Sequence, residues 1–591
     1  MKKLFKWLAE LFRGLIKAVK RFPVTVMFLL FSAMLISYMI YIDSQVSLII
    51  QKLVFVFLFG AVTSAVAQTA IEGFELDRSK KITLYSASVI ITLVYYLLLM
   101  PAPSISMEVA IRTFVAIFGM ICAFVYIPSH KTDVNFDEVL ISHFKSIFIS
   151  ILYSLVLMIG TFTILGASDT LLFNIDSNIY AYTAVVIWIL FASIYYLSLL
   201  PEFSSNEDLE IKNRIKTAEI SRFLEILISY IAVPLIAAFT LVLLLYFAKI
   251  LFTFEWPIGE LATITLSYSA VGIFVYLLTA LIENKFTKLY KMYFPKILIL
   301  IVIMQFISIG IRVNAYGITE SRYYVMIFAL YSMITAIVLT FRPRGKNGVI
   351  VLLAATFAII SVVPPIDTFT ISRVSQTIRL EYYLTQSGIL ENGVLTAKTD
   401  VDNDSKHEIT SILQYLENRD YTDRIDFLPK DFEYYNDMEK VIGFEAYYKN
   451  SYLQPDNQYK YANLGQDEFI ALDNYDIMIR NYFPSYNSSL DKKLFNLNGN
   501  EYLISTEKVD KQDLTISITD VNGTILIGSK ILDKAILSYE RGDANKDLRS
   551  LEDMSFEVEN AKYKMKFIFY SLNINAKDSA NYDIMILFDV K

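Results

Sequence analysis

Eleven stretches of the chain are apolar and long enough to predict helices that cross a membrane. A helix needs about 20 apolar residues to cross the hydrocarbon core of a bilayer. The ninth and the eleventh stretch are short, which suits tilted or partly re-entrant helices. The stretches are 22–42, 53–70, 82–100, 109–127, 141–166, 180–200, 223–250, 261–282, 297–311, 323–341 and 348–363. The pattern therefore predicts an α-helical polytopic membrane domain over residues 22–365.

The long apolar pattern stops at Pro364 and Pro365, which end the last span because proline cannot continue a helix. Residues 366–390 then combine polar positions with apolar ones such as Ile371 and Ile378. This pattern predicts a juxtamembrane helix that leaves the membrane.

The remainder of the chain shows shorter elements. Ser405 and Glu408 fit a capping box, which predicts a helix that runs to about residue 417. The turn that ends at Gly523 separates two β-prone runs and is typical of a hairpin. Strands are predicted at 514–518, 524–527, 563–572 and 582–590. Residues 391–591 are thus expected to form a soluble α+β domain.

The first 21 residues form a unit of their own, in which apolar and basic positions separate at helical spacing. A basic amphipathic helix of this kind lies in the membrane interface with its cations toward anionic lipid. It either anchors the orientation of the chain or senses a lipid or partner. The apolar residues are Leu4, Trp7, Leu8, Leu11, Phe12, Leu15 and Val19, and the basic ones are Lys2, Lys3, Lys6, Arg13, Lys17 and Lys20.

The distribution of charge predicts the orientation. With the N-terminus in the cytoplasm, the inner connections carry 22 Lys and Arg and the outer ones carry 3. Such a contrast is the positive-inside pattern of bacterial membrane proteins. An odd number of spans then places residues 391–591 outside the cytoplasm, and this part is acidic, with 37 Asp and Glu against 25 Lys and Arg after residue 370. The predicted location is the cell membrane.

Composition removes several classes of protein. The chain is 55% hydrophobic and 19% charged, which excludes disordered, collagen-like and nucleic-acid-binding proteins. A single cysteine excludes a disulfide framework, and three distant histidines argue against a metal site. Phosphate-binding and hydrolase motifs are absent from the sequence, so no cofactor and no catalytic residue is assigned.

Three stretches together resemble a bacterial membrane-protein family called domain of unknown function 4153. They are the run Arg312-Val-Asn-Ala-Tyr-Gly-Ile-Thr-Glu-Ser-Arg-Tyr323, residues 348–376, and Arg379-Leu380; Trp256-Pro-Ile-Gly259 adds to them upstream. The resemblance is strongest over residues 220–390. It implies a multi-span topology and a membrane location, and it implies no reaction.

Charged residues near the predicted outer face are the candidate ligand-binding group, because charge near a membrane is kept where it is paired or used. Arginine forks suit phosphate and carboxylate groups. These residues either line a site for an anionic headgroup or lipid-linked phosphate, or form an ion-pair network with acids such as Asp43, Glu108, Glu260, Glu320 and Asp367. The candidates are Arg112, Arg312, Tyr316, Glu320, Arg322, Arg373, Gln376 and Arg379. The Arg312–Arg322 loop is expected to pack against the segment that follows residue 368.

Two further patterns carry weaker expectations. Asp400-x-Asp402-x-Asp404 and Asp543-x-Asn545-x-Asp547 begin like calcium loops but lack the closing Gly and Glu, so no metal is assigned. Tyrosines between residues 430 and 490 lie among acids and amides, as in surfaces that bind glycan strands. The pattern therefore suggests an envelope glycan as a partner beside membrane lipids.

The sequence favours a non-enzymatic role in sensing, binding or assembly at the bacterial cell envelope. One alternative is a transporter of a small or lipidic anion. Another is a transferase of lipid-linked sugar or phosphate at the outer face, for which Asp43 is the candidate carboxylate if it meets Arg112 and Arg312 in one cavity.

Overall fold

The structure is a computed structural model of the whole chain. It describes all residues except 1, 44–45, 75–77, 131–133, 204–207, 254–260, 342–346, 431, 448–458, 466–467, 473, 484–490, 509–512, 542–547 and 576–578. The described chain divides into two compact units. The first consists of Met1–Gln386 and Ile412–Phe432, and the second of Ser387–Ser411 and Glu433–Lys591.

The first unit is built from helices, most of them long and apolar. In chain order they are α1 Lys2–Arg21, α2 Pro23–Ile42, α3 Leu48–Gly73, α4 Arg78–Leu99, α5 Met107–Tyr126, α6 Phe136–Leu171, α7 Asn178–Val185, α8 Ser193–Leu199, α9 Asp208–Ala218, α10 Arg222–Ile226, α11 Val233–Thr253, α12 Leu261–Leu278, α13 Lys285–Tyr316, α14 Glu320–Phe341, α15 Gly348–Ile360 and α16 Thr368–Gln386. Two π-helical segments, Val186–Ala192 and Leu227–Ala232, join α7 to α8 and α10 to α11.

Ten helical spans in the described residues are long and apolar enough to cross a membrane, which confirms the predicted polytopic membrane domain. The count is one lower than the eleven expected from the sequence. The difference lies in α15, which has 13 residues and is therefore about 20 Å long. A hydrocarbon core is about 30 Å thick, so α15 alone falls short of it.

Helix α13 lies at the centre of the largest apolar core and packs against α11, α12 and α14. Leu298, Ile301 and Val302 on this helix are fully buried. Gly272 of α12 faces the ring of Phe294, and a Cβ at that position would come within 2.4 Å of the ring carbons. The glycine thus permits the close approach of α12 and α13.

Helix α1 spans most of the predicted N-terminal unit, and ion pairs hold its C-terminal half. The Arg21 guanidinium donates to both carboxylate oxygens of Glu72, at 2.8 and 2.7 Å. Lys17 Nζ lies 3.1 Å from Glu210 Oε1. These contacts attach the end of α1 to α3 and α9.

The second unit contains all of the strands that the structure describes. They are β1 Leu390–Glu391, β2 Val394–Leu395, β3 Tyr459–Leu464, β4 Ile477–Phe483, β5 Asp491–Leu497, β6 Asn500–Lys508, β7 Leu514–Asp520, β8 Ile525–Lys530, β9 Leu548–Arg549, β10 Ser555–Glu559, β11 Tyr563–Asn575 and β12 Ser579–Val590. Its helices are α18 Tyr434–Ile442 and α19 Leu532–Arg541, while α17 Asn403–Glu417 runs across the division at Ser411.

Two larger sheets and one short hairpin organise these strands. One sheet has the order β4-β12-β11-β3-β9 with β10 also paired to β11, and the other has the order β5-β6-β7-β8. The long pair β11 and β12 forms the core, where Phe567 lies opposite Ile586 and both are fully buried. The predicted hairpin joins β7 to β8, with Gly523 at φ +85°.

The capping prediction for α17 is wrong in its cap residue. The helix begins at Asn403, and Asp402 rather than Ser405 accepts the capping hydrogen bond, from the Ser405 amide at 2.8 Å. This bond holds the pKa of the Asp402 carboxyl below its usual range. Asp402 of the first Asp-rich loop is therefore occupied as a helix cap, whereas the second Asp-rich loop lies outside the described residues.

Candidate ligand-binding site at one end of the membrane helices

The loop between α13 and α14 packs against α16, as the sequence predicts. The Ser375 hydroxyl accepts a hydrogen bond of 2.9 Å from the amide of Ile318. The Gln376 amide nitrogen donates to the carbonyls of Tyr316 and Ile318, both at 3.0 Å. Gly317 permits this packing, because its φ is +66° and a Cβ would lie 2.6 Å from Arg379 Cδ. We call this end of the helices, formed by residues 100–106, 317–319 and 361–367, the cavity end.

Two of the candidate arginines bind the same backbone turn. Arg322 Nη1 donates to the carbonyls of Tyr316 and Gly317 at 3.0 and 2.9 Å, and Arg379 Nη1 donates to the Tyr316 carbonyl at 2.8 Å. Arg322 also lies over the Tyr316 ring, 5.4 Å from its centre. Arg312 lies one turn before Tyr316 on α13, and its positive charge is close enough to Arg322 to repel it. The cations thus close the C-terminal end of α13, where helix carbonyls lack partners and favour positive charge.

Arg112 belongs to a separate ion-pair network that ties α5 to α16. Its Nη2 lies 2.8 Å from Glu108 Oε1 and 3.1 Å from Asp367 Oδ1, and its Nη1 donates to the Val362 carbonyl. Asp367 is fully buried and also accepts from the amide and the hydroxyl of Thr370. Both acids are among the partners that the sequence proposed for a structural network.

Glu320 is buried at the start of α14 and is bound by the segment that follows α17. The Tyr421 hydroxyl donates to Oε1 at 3.0 Å, and Arg419 Nε lies 3.3 Å from Oε2. Burial, and after it the nearby Glu320 carboxylate, raise the pKa values of Tyr415 and Tyr421 above the usual tyrosine range. Both phenols therefore stay protonated near neutral pH.

These elements surround a cavity of about 620 Å³ at the cavity end, which we call the first cavity. Hydroxyl, amide and charged side chains line one part of it, and apolar side chains from α4, α5 and α16 line the other. The polar lining includes Ser104, Ser106, Glu108, Glu320, Ser321, Tyr324, Asn418, Arg419, Asp420, Tyr421 and Arg424; the apolar lining includes Leu98, Met107, Val109, Ile111 and Phe369. A pocket of this size suits a ligand with both kinds of surface.

Some of the charged side chains in the first cavity already have ion-pair partners among the residues that the structure describes, and others do not. Glu108 is paired with Arg112, and Glu320 with Arg419. Arg424, by contrast, is exposed, and its side chain has no hydrogen bond or ion pair with another residue that the structure describes. An arginine in this situation is available to a phosphate or carboxylate group.

The structure thus sorts the predicted residues. It brings Tyr316, Gln376, Arg322 and Arg379 together around one turn, with Arg312 beside them, and it brings Arg112 to Asp367. Arg373 is half-buried on α16 and has no ion-pair partner among the described residues. Ligand binding by any of these residues stays a prediction.

Sequence reasoning missed the segment 418–424, which lines the first cavity. Its residues follow the polar helix α17, and they contain no apolar run or motif that would assign them to the first unit, which contains the membrane helices. Asp43, the carboxylate proposed for a transferase, does not line the first cavity, and Glu260 lies outside the described residues.

Comparisons with known proteins match one family model and one curated relative. A family model described as "Domain of unknown function (DUF4153)" matches residues 23–393. A curated relative, "Uncharacterized protein PM1469" of Pasteurella multocida (strain Pm70), is 26% identical over 291 residues, which are 49% of this chain and 48% of the relative. The chain thus matches about half the length of that relative. No solved structure matches.

Proposed function

Because the chain belongs to the DUF4153 family of bacterial multi-span membrane proteins, a family whose name assigns no reaction, we propose that it is a non-enzymatic binding protein of the cell envelope. Its ligand is a phosphate-linked polyol, bound in the first cavity. One observation carries this proposal: Arg424, which has no ion-pair partner among the described residues, lines the same cavity as side chains that can bind hydroxyl groups. An arginine fork suits the phosphate.

The remaining polar groups suit hydroxyls. Asp420 and Asn418 are exposed and line the same cavity as Arg424, and the Asp420 side chain makes no hydrogen bond with another described residue. A carboxylate accepts hydrogen bonds from ligand hydroxyls, and an amide both donates and accepts. The serines of the 100–106 loop add further partners.

The proposed orientation places the cavity end outside the cytoplasm. The positive-inside pattern supports it, because connections at the opposite end carry nearly all of the loop cations. Lys285, Lys288 and Lys291 at the start of α13 are examples. The ligand would then be met at the outer face of the membrane.

The proposal is tested with sn-glycerol 1-phosphate and the full-length protein in detergent. A ligand that binds the folded state raises the unfolding midpoint by mass action. The probe is used at up to about 20 mM, since a headgroup alone is expected to bind in the millimolar range. The wild type should show a rise that saturates, and inorganic phosphate, which lacks the hydroxyls, should give a smaller one.

The matched variants are Arg424→Gln and Arg222→Gln. Arg222 is 76% exposed at the opposite end of the helices, so its loss is a control for surface charge. Arg424→Gln should weaken the response to sn-glycerol 1-phosphate at least fivefold, and Arg222→Gln should leave it unchanged. The absence of a response in the wild type, or equal responses in the two variants, would contradict the proposal.

A transporter of a small or lipidic anion is the second candidate, favoured by one feature of the spans. Two of them contain π-helical turns, at Val186–Ala192 and Leu227–Ala232, and such turns are frequent at functional sites. Uptake of radiolabelled sn-glycerol 1-phosphate into proteoliposomes distinguishes the candidates, because a binding protein does not accumulate the probe inside.

A further inference from the structure

A second cavity of about 260 Å³ lies among the membrane helices, and its lining residues on α14 follow Glu320 along that helix. Its walls come from α5, α14 and α15, with one residue from α12. They are almost entirely apolar, and the principal contributors are Val115, Phe118, Phe328, Tyr331, Ala354 and Phe357. Tyr331 is 11 residues along α14 from Glu320, which places it about 16 Å deeper into the membrane unit.

Tyr324 connects the two cavities, because it lines both of them. Its hydroxyl oxygen is buried. That hydroxyl makes no well-aligned hydrogen bond with a described residue; the Ser361 hydroxyl lies nearby, donates to the Ala358 carbonyl and keeps lone pairs that can accept from Tyr324. The Tyr324 donor is thus only loosely bound inside the protein, and it lies where both cavities can be reached.

We propose that the two cavities together hold one lipid molecule, whose headgroup occupies the first cavity and whose hydrocarbon chain occupies the second. This inference rests on the proposed function and specifies its ligand as a lipid rather than a soluble polyol phosphate. The Tyr324 hydroxyl then donates to an ester or phosphate oxygen where headgroup and chain meet.

The polarity of the walls supports this occupant. The first cavity combines charged, amide and hydroxyl groups, whereas the second offers Tyr324, Tyr331 and Ser361 as its only side chains with a polar atom. A soluble polyol phosphate has no apolar part that matches the second cavity. A lipid chain matches the second cavity because transfer of apolar surface into apolar surroundings is favourable.

Small residues keep the second cavity open. Ala354 and Ala358 lie one turn apart on α15, and both are only partly buried. A larger side chain at either position enters the cavity rather than a filled core. Thr356 lies between them on α15 but is exposed and does not line the cavity, so it provides a matched control.

The test is native mass spectrometry of the full-length protein released from nanodiscs of 1:1 phosphatidylglycerol and phosphatidylcholine. The wild type should retain phosphatidylglycerol in preference to phosphatidylcholine. Ala358→Leu should lower the retained phosphatidylglycerol at least fivefold, while Thr356→Leu should not change it. Equal retention in Ala358→Leu and the wild type, or an equal loss in both variants, would overturn the inference.

A second variant keeps the test decisive if Ala358→Leu fails to fold. Tyr324→Phe preserves the ring and removes only the hydroxyl, so it should lower the retained phosphatidylglycerol without lowering the yield of monodisperse protein. Retention equal to that of the wild type would contradict the role given to Tyr324.

The two proposals fail in different ways. In one outcome, sn-glycerol 1-phosphate raises the unfolding midpoint of both wild type and Ala358→Leu, and both retain phosphatidylglycerol equally. This outcome supports a headgroup site in the first cavity and contradicts a hydrocarbon-chain site in the second. If sn-glycerol 1-phosphate has no effect on any variant and no phospholipid is retained preferentially, both proposals fall.

Discussion

The Tyr421 hydroxyl donates a hydrogen bond of 3.0 Å to the buried carboxylate of Glu320, although 101 residues separate the two in the chain. The bond attaches the segment after α17 to the first turn of α14. It therefore fixes one wall of the first cavity, because Glu320, Arg419 and Tyr421 all line that cavity.

Tyr421→Phe is expected to destabilise the protein because it removes this bond and leaves a buried carboxylate with fewer donors. The loss of one partner of a buried, charged group costs about 1–3 kcal/mol. The midpoint of thermal unfolding in detergent measures the change. Tyr382→Phe is the control, since Tyr382 is 61% exposed on α16. Equal midpoints for the two variants would show that the Glu320 contact does not contribute to stability.

The raised pKa values of Tyr415 and Tyr421 predict a loss of stability at alkaline pH. Burial, followed by the Glu320 charge, keeps both phenols protonated in the folded state beyond the pH at which an unfolded tyrosine ionises, near 10. Their contribution is complete below that pH and is lost as the pH rises through the folded-state values. The unfolding midpoint should therefore fall more steeply above about pH 10 in the wild type than in Tyr421→Phe. Parallel profiles would be inconsistent with this linkage.

Gly317→Ala and Gly310→Ala should change stability in opposite directions. Gly317 has φ +66°, and its added Cβ would meet Arg379 Cδ at 2.6 Å, so the substitution should cost more than about 1 kcal/mol. Gly310 lies inside α13 and an added Cβ would meet nothing within 4 Å, so alanine there should stabilise by roughly 0.5–1 kcal/mol. The midpoint of thermal unfolding of each variant measures the change in stability. A Gly317→Ala midpoint equal to that of the wild type would mean that the turn accommodates a Cβ without strain.

Asp367→Ala should separate the start of α16 from α5. The variant loses the helix cap, which contributes about 1 kcal/mol, and deprives Arg112 of a buried partner. Limited proteolysis of the membrane-embedded protein should then cleave near residue 367 faster than in the wild type. Asp423→Ala, at an exposed position, serves as the comparison. A cleavage rate equal to that of the wild type would mean that the ion pair between Arg112 and Asp367 does not hold α16 against α5.

Gln305→Met should leave stability unchanged or raise it. The Gln305 amide is fully buried in α13, and neither its oxygen nor its nitrogen bonds another residue in the described part of the chain. An unsatisfied buried amide is costly, roughly 1–3 kcal/mol, and methionine of similar volume removes that cost. A clear fall in the unfolding midpoint would instead mean that Gln305 binds water or a ligand within the membrane.

Much of the fold follows from the sequence because hydropathy and periodicity are local signals. Apolar runs such as 261–282 become spans, and alternation around Gly523 becomes a hairpin. The same logic places Arg312, Arg322 and Arg379 at one end of the helices. The error at Ser405 arises because Asp402, three residues earlier, is an equally good cap, and a sequence rule cannot tell them apart.

The walls of the first cavity could not be predicted. The contact of Tyr421 with Glu320 depends on the return of the segment 412–432 to the membrane unit, and no local pattern encodes a return over that distance. The roles of Arg322 and Arg379 were also open, because an arginine that binds backbone carbonyls and one that awaits a phosphate have the same sequence signature.

The location of the first cavity outside the cytoplasm is the claim on which the binding function depends. Labelling of single cysteines with a membrane-impermeant maleimide in intact cells, in a Cys122→Ala background, tests it most directly. Ser104→Cys is exposed at the first cavity, and Lys288→Cys is exposed at the opposite end of the helices. The account predicts that Cys at position 104 reacts in intact cells, whereas Cys at position 288 reacts only after permeabilisation. The reverse result would place the cavity in the cytoplasm and contradict the account.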